Sequence, residues 1–131
     1  MDEKQRFDDG MKMRRAVLGE AHVDRSLEQL TPFNRDFQEL ITRYAWGEVW
    51  SRPGLPSNTR SLLTLVLMVA LHREEEFRMH IHAAFRNGVT REEISEALLH
   101  AAIYCGLPAA NAAFKWAEQE IDRIDSGETL A

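Results

Sequence analysis

Cysteine is almost missing from this chain of 131 residues: Cys105 is its one thiol. An internal disulfide and any two-thiol redox pair are therefore excluded. A reduced, cytoplasmic setting is the expectation that follows. Long hydrophobic runs are also lacking; the longest, Leu62 to Leu71, is about half of what a membrane span requires. No basic stretch is present. The net charge is −5, with 16 Lys and Arg interspersed among 21 Asp and Glu, which argues against a nucleic-acid partner. The opening Met1-Asp2-Glu3-Lys4 is acidic and has no signal-peptide core. Strict apolar–polar alternation is absent too, and the 7 Gly and 4 Pro read as punctuation, so strands are not expected.

What remains is helical. The hydrophobic fraction of 44% fits one ordinary globular domain over residues 1–131, with a polar tail from about 123. The expected architecture is all-α, with about six helices. Residues 3–18 read as a charged amphipathic helix ending before Gly19, and 20–30 as irregular or a short helical turn. Thr31-Pro32 has the cap-then-proline form of a helix start. That helix is expected to run to about Trp46, with Phe33, Phe37, Leu40, Ile41 and Tyr44 on its core face. A break from Gly47 to Pro56 precedes a helix capped by Ser57 or Asn58. This helix is apolar on nearly every face as far as Leu71, and so buried all round, centrally or partly under another subunit. Residues 73–87 form a further helix stopped by Gly88. Thr90-Arg91-Glu92-Glu93 has the spacing of a capping box and opens the next helix. It stops at Gly106, and Pro108 starts the last.

The chemical candidates cluster at two places. Trp46-Gly47-Glu48-Val49-Trp50-Ser51-Arg52-Pro53-Gly54 crowds two large rings, an acid and a cation into a helix break, where rings need something packed on them. Glu48 is either an acid–base group raised by desolvation between the tryptophans or a partner for Arg52. Arg52, Arg60 and Arg78 are anion-binding candidates, because a guanidinium grips a carboxylate through two parallel donors. Arg60 gains from free backbone N–H groups in a helix's first turn. Tyr44 and Tyr104 could donate to an oxyanion or serve the core. His80 shares the stripe Phe77, His80, Ile81, Ala84 and points inwards. It is either a catalytic imidazole oriented by Glu76 one turn earlier or a core histidine bonded to a carbonyl. His82, two residues on, faces elsewhere and makes no metal pair with His80. No metal-binding motif appears, and neither a metal nor any other cofactor is expected.

These same residues carry a resemblance. Phe37-Gln38, Ala45-Trp46-Gly47-Glu48-Val49-Trp50-Ser51-Arg52-Pro53-Gly54-Leu55, Thr59-Arg60-Ser61-Leu62 and His80 through Ile94 closely resemble the carboxymuconolactone decarboxylase family, within the alkylhydroperoxidase D-like superfamily. The likeness runs from about Arg6 to about Glu120. The tryptophan–arginine block is distinctive; Gly88-Val89-Thr90-Arg91-Glu92-Glu93-Ile94 is shared across the superfamily. The thiol reductases of that superfamily resemble Glu, Cys-x-x-Cys, His in order. Aligned on Gly88, His80 matches their histidine, but Ser61, Arg73 and Glu76 stand at their glutamate and cysteine positions. A thiol–disulfide mechanism needs two thiols, so thiol peroxidase activity is disfavoured.

The resemblance implies an orthogonal all-α scaffold assembled as a homohexamer. It also implies loss of CO₂, without a cofactor, from 4-carboxymuconolactone, a dicarboxylate lactone of protocatechuate catabolism. The implied site has His80, Glu48 and Glu76 in catalysis, and Arg52, Arg60, Trp46, Trp50 and Tyr44 at the substrate. Two alternatives stand beside it. One is a decarboxylase or isomerase acting on a related lactone or carboxylate; the other is a catalytically silent oligomeric binding protein.

Overall fold

The computed structural model describes residues 2–128. Among them there are helices and no strands: α1 (Glu3–Leu18), α2 (Glu20–Glu28), α3 (Arg35–Leu40), α4 (Ser57–Leu71), α5 (Glu74–Arg86), α6 (Arg91–Cys105) and α7 (Leu107–Asp125). A π-helical segment, Ile41–Trp50, continues α3. The all-α expectation holds, but the count exceeds six. Residues 20–28 form a full helix where an irregular stretch or a short helical turn was expected. α7 extends to Asp125, past the expected start of the polar tail, whose end at 129–131 lies outside the described residues. The described residues divide into two compact units, 2–56 and 57–128. No helix among the described residues is long and apolar enough to cross a membrane.

In the first unit, α1 packs along the π segment. Asp2 caps α1, its carboxylate accepting from Gln5 N at 2.7 Å. Gly10 sits in the middle of this helix, where glycine costs helical stability. The reason is contact: a Cβ at Gly10 would lie 1.9 Å from Thr42 O, and one at Gly47 would lie 2.4 Å from Arg6 O. Two glycines thus let the backbones touch. The expected core face is not the buried one. Phe33 (99% exposed), Phe37, Leu40 and Tyr44 face outwards, while Thr42, Trp46 and Gly47 are buried. Phe33 lies ahead of the helix and Phe37 and Leu40 on the open side of α3, while from Ile41 on, bonds from i to i+5 add nearly a residue to each turn and carry Tyr44 off a stripe read at 3.6. Thr31 and Asn34 cap each other, with Asn34 N donating to Thr31 Oγ1 at 3.2 Å. The α-helix proper therefore begins at Arg35, later than expected.

The second unit packs α4 on α5 and α6, and α7 on α5 and α6. Leu65 and Val69 meet Phe77, Ile81 and Ala84, with Ile94, Leu98, Ala113 and Ala117 closing the core. Phe77 and Trp116 meet edge to face at 5.7 Å. α4 is not buried all round within the chain: Ser61, Leu65 and Val69 are covered, whereas Leu63, Leu67 and Leu71 are exposed. His72, at a left-handed φ of 58°, separates α4 from α5 and spoils any one-turn pairing with Glu76. Gly88, at φ 85°, stops α5 as its position predicts, and Val89 N closes the end by donating to Ala84 O at 3.0 Å. The Thr90–Glu93 capping box is complete: Thr90 N donates to Glu93 Oε1 at 2.9 Å and Glu93 N to Thr90 Oγ1 at 3.1 Å.

One acid lies inside this unit. Glu120 on α7 is 1% exposed. It accepts from His82 Nε2 at 2.9 Å, Arg78 Nη1 at 2.7 Å and Arg123 Nη1 at 2.9 Å. Burial by itself would raise its pKa, but these donors together hold it below the ordinary 4.5. The carboxylate is charged, so His82 carries its proton on Nε2 and donates it.

Two outcomes are expected. Gly10→Ala, which drives a methyl into a carbonyl, should lower unfolding free energy by about 1–3 kcal/mol, read by urea denaturation. Glu120→Gln should cost about 3 kcal/mol, since it strips a buried partner from Arg78. A carboxylate with a depressed folded pKa stabilises above its unfolded value and loses that contribution as pH falls. The stability gap between the native chain and Glu120→Gln should therefore be full at pH 7 and shrink below about pH 4.5, followed by denaturation at several pH values.

Candidate active site

Only the arginine end of the tryptophan–arginine block lies in a broken turn. Trp46 through Trp50 form the last turn of the π segment, and the break begins at Ser51. Ser51 Oγ closes the helix end by donating to Trp46 O at 2.7 Å. The two indoles, four residues apart, meet at 5.0 Å with planes tilted by 33°. Trp46 is 5% exposed and Trp50 is half-buried, so the pair forms an apolar wall with one ring accessible. π turns are uncommon and recur at functional sites; here the extra residue per turn brings the buried Trp46 and Gly47 against α1.

Glu48 is not desolvated between the rings. Its side chain is 46% exposed, with Arg6 Nη1 at 2.7 Å from Oε1 and Arg52 Nη1 at 3.7 Å from Oε2. The ion-pair reading of Glu48 therefore fits the geometry, with Arg6 as a second partner that the local sequence could not reveal. Arg52 itself is exposed. Tyr44 faces α1: its hydroxyl donates to the Glu3 carboxylate at 3.0 Å, and the Arg6 guanidinium lies 5.2 Å from its ring centre. This ties Tyr44 to α1 instead of the core.

In the second unit, His80 is buried, at 8% exposed, on the inward face of α5 as its stripe predicts. Glu76 is exposed in the first turn of the same helix. Arg60 is half-buried in the first turn of α4. Asn87 Nδ2 donates to Ser61 Oγ at 2.8 Å, which fixes Arg60 near the C-terminal end of α5. Seven residues of helix separate His80 from Asn87, about 10 Å along the axis. His82 is buried beside Glu120, and His100 is exposed and stacked on Tyr104 at 5.1 Å. Tyr104 is 78% exposed and so is no core residue.

The buried Glu120 with His82 and Arg78 escaped the sequence reading. Its signal was present: Ala110, Ala113, Ala117 and Glu120 share a helical face, so an acid falls on an otherwise apolar stripe. The partners, 38 and 42 residues away, have no local mark.

Comparison with known proteins bears on this arrangement. Residues 35–119 match the carboxymuconolactone decarboxylase family. The chain belongs to that family. A 4-carboxymuconolactone decarboxylase of Acinetobacter baylyi is 57% identical over 119 residues, spanning 91% of this chain and 89% of the relative. A nitrosuccinic acid decarboxylase of Metarhizium robertsii is 49% identical over 123 residues, spanning 93% and 86%. A 48-residue 4-carboxymuconolactone decarboxylase sequence from Pseudomonas putida is 69% identical over its full length, 37% of this chain.

The indole pair makes a spectroscopic prediction. Two coupled rings at 5.0 Å should produce a paired positive and negative circular dichroism band. Trp46→Phe and Trp50→Phe should each abolish it, whereas Trp116→Phe should leave it in place.

Proposed function

We propose that this protein is a 4-carboxymuconolactone decarboxylase, releasing CO₂ to form β-ketoadipate enol-lactone in the cytoplasm. The observation that carries this reading is 57% identity, across nine-tenths of the chain, to a relative of that name. The carboxylate that departs sits on a carbon vinylogous to the lactone carbonyl. When its C–C bond breaks, the electron pair spreads through the ring alkene onto the carbonyl oxygen, so the substrate supplies its own electron sink. The resulting dienolate takes up one proton at the carbon α to the carbonyl. The protein must hold the other carboxylate, stabilise the oxyanion and deliver that proton.

His80 is assigned the proton, with Glu76 one turn ahead of it as its acidic partner. Arg60 and Arg52 are assigned the substrate's anionic groups. The position of Arg60 in the first turn of α4 supports this, because unpaired backbone N–H groups there favour anions. Glu48, at 3.7 Å, holds Arg52. Trp46 and Trp50 exclude water from the departing carboxylate, which disfavours its solvated ground state. Tyr44 supports the block from the α1 side. Self-association as a homohexamer belongs to the same reading. Leu63, Leu67 and Leu71 on α4 are each 45–60% exposed, and Leu99, Ile103 and Leu107 are 58–77% exposed, more apolar surface than a monomer ordinarily leaves open.

The 49% identity to a nitrosuccinic acid decarboxylase favours a second reading, decarboxylation of another substrate with a built-in electron sink. A nitro group accepts the electron pair as a carbonyl does. Offering both compounds and following CO₂ separates the two. Turnover of 4-carboxymuconolactone should dominate. His80→Ala and Arg60→Ala should each lower it by about a hundredfold or more with the helical circular dichroism unchanged. Near-normal turnover by His80→Gln would remove the histidine from proton transfer.

A further inference from the structure

Arg14 on α1 is 6% exposed, and the described residues give its guanidinium neutral partners only. Nη1 donates to Thr42 Oγ1 at 3.3 Å and Nη2 to Gln38 Oε1 at 3.0 Å. Its buried Nε has no acceptor among the described residues. Burial lowers the pKa of Arg14 from its ordinary value and the charge of Arg15 lowers it further, with no carboxylate offsetting either. A buried cation without an anion is costly. A guanidinium has five N–H donors, and the two described bonds use only two of them.

A cavity of about 100 Å³ opens beside this side chain, with Phe7, Met11, Leu27 and Leu30 along it. That is room for several water-sized groups, at about 10–15 Å³ for each. Its polar lining is Arg14, Gln38 and Thr42, with the exposed Arg35 adding a second cation. Glu39 also borders it, but its carboxylate pairs with Arg43 Nη1 at 3.9 Å. The whole site lies within the first unit, and none of its residues has a role in the decarboxylation above.

We propose that this cavity binds a small aliphatic monocarboxylate, its head gripped by Arg14 and Arg35 and its short chain lying on Phe7, Met11, Leu27 and Leu30. A carboxylate supplies the planar two-oxygen partner that a guanidinium fits. The apolar lining and small volume select against phosphates and larger dicarboxylates.

Titration of the full chain with propionate, followed through the arginine side-chain ¹⁵N signals, tests this. The Arg14 signal should shift and saturate at one equivalent bound per chain, and propionamide, the uncharged isostere, should not move it. Arg14→Gln should weaken propionate binding by about tenfold or more, equivalent to about 1.4 kcal/mol. Met11→Trp, which fills the cavity and keeps the cation, should abolish it. An Arg14 signal that stays fixed through saturating propionate overturns the proposal. So does unchanged affinity in Arg14→Gln or Met11→Trp, or a shift confined to Arg60 or Arg52. Should Arg14→Gln fail to fold, the native signal and Met11→Trp decide the outcome.

Discussion

The first unit depends on a contact between backbones. Gly10 lets α1 come against the Thr42 carbonyl, and Gly47 accepts the Arg6 carbonyl from the opposite side. At ordinary helix separations, with side chains between the axes, short polar contacts across the pair would be harder to make. Here Arg6 reaches Glu48, Tyr44 reaches Glu3 and Arg14 reaches Thr42. Exposed ion pairs by themselves add little stability. Their importance lies in orientation: they set how Tyr44 and Glu48 are turned, and through Glu48 they act on Arg52.

The second unit solves a different problem. A fully buried carboxylate is unfavourable unless its lone pairs are occupied, and Glu120 meets that demand with one imidazole and two guanidinium groups. The network pins α5 to α7 by way of His82 and Arg78. His80, on the same helix, has its rotation about the α5 axis set by Arg78 and His82, two residues to either side. The histidine assigned to chemistry and the one used for architecture are thus two residues apart, one held by the other's surroundings.

How much of this was legible in the sequence depended on how local the signal was. The Thr90–Glu93 cap, the stop at Gly88 and the inward turn of His80 are each encoded within a few residues, and each appears in the structure. The face assigned to Phe33, Phe37, Leu40 and Tyr44 is exposed: Phe33 precedes the helix, Phe37 and Leu40 lie on the open side of α3, and only Tyr44 falls where the chain winds more slowly than 3.6 residues per turn allows. Nothing in those side chains announces the change; Gly10, the residue that accommodates it, is more than thirty positions away. Of the two readings of Glu48, the pairing with Arg52 one turn on is local and present, whereas its nearer partner, Arg6, comes from another helix and has no local mark. The apolar run of α4 reads as buried centrally or partly under another subunit, because sequence alone cannot tell a core from a surface that a second copy would cover; within the chain Leu63, Leu67 and Leu71 are exposed. Family likeness suggests candidate residues, but not which of them touch.

The π segment also makes chain length an inherited variable. In an ordinary helix, losing one residue rotates everything beyond it by about 100°, and the fold usually resists. In Ile41–Trp50 the surplus residue is already stored, so a single-codon deletion could relax the segment to α geometry with both ends still anchored. The indoles would then swing to a new bearing while the rest of the unit kept its hydrogen bonds. A lineage that keeps the surplus keeps the indole pair where it is; one that sheds it re-aims that pair in one genetic step.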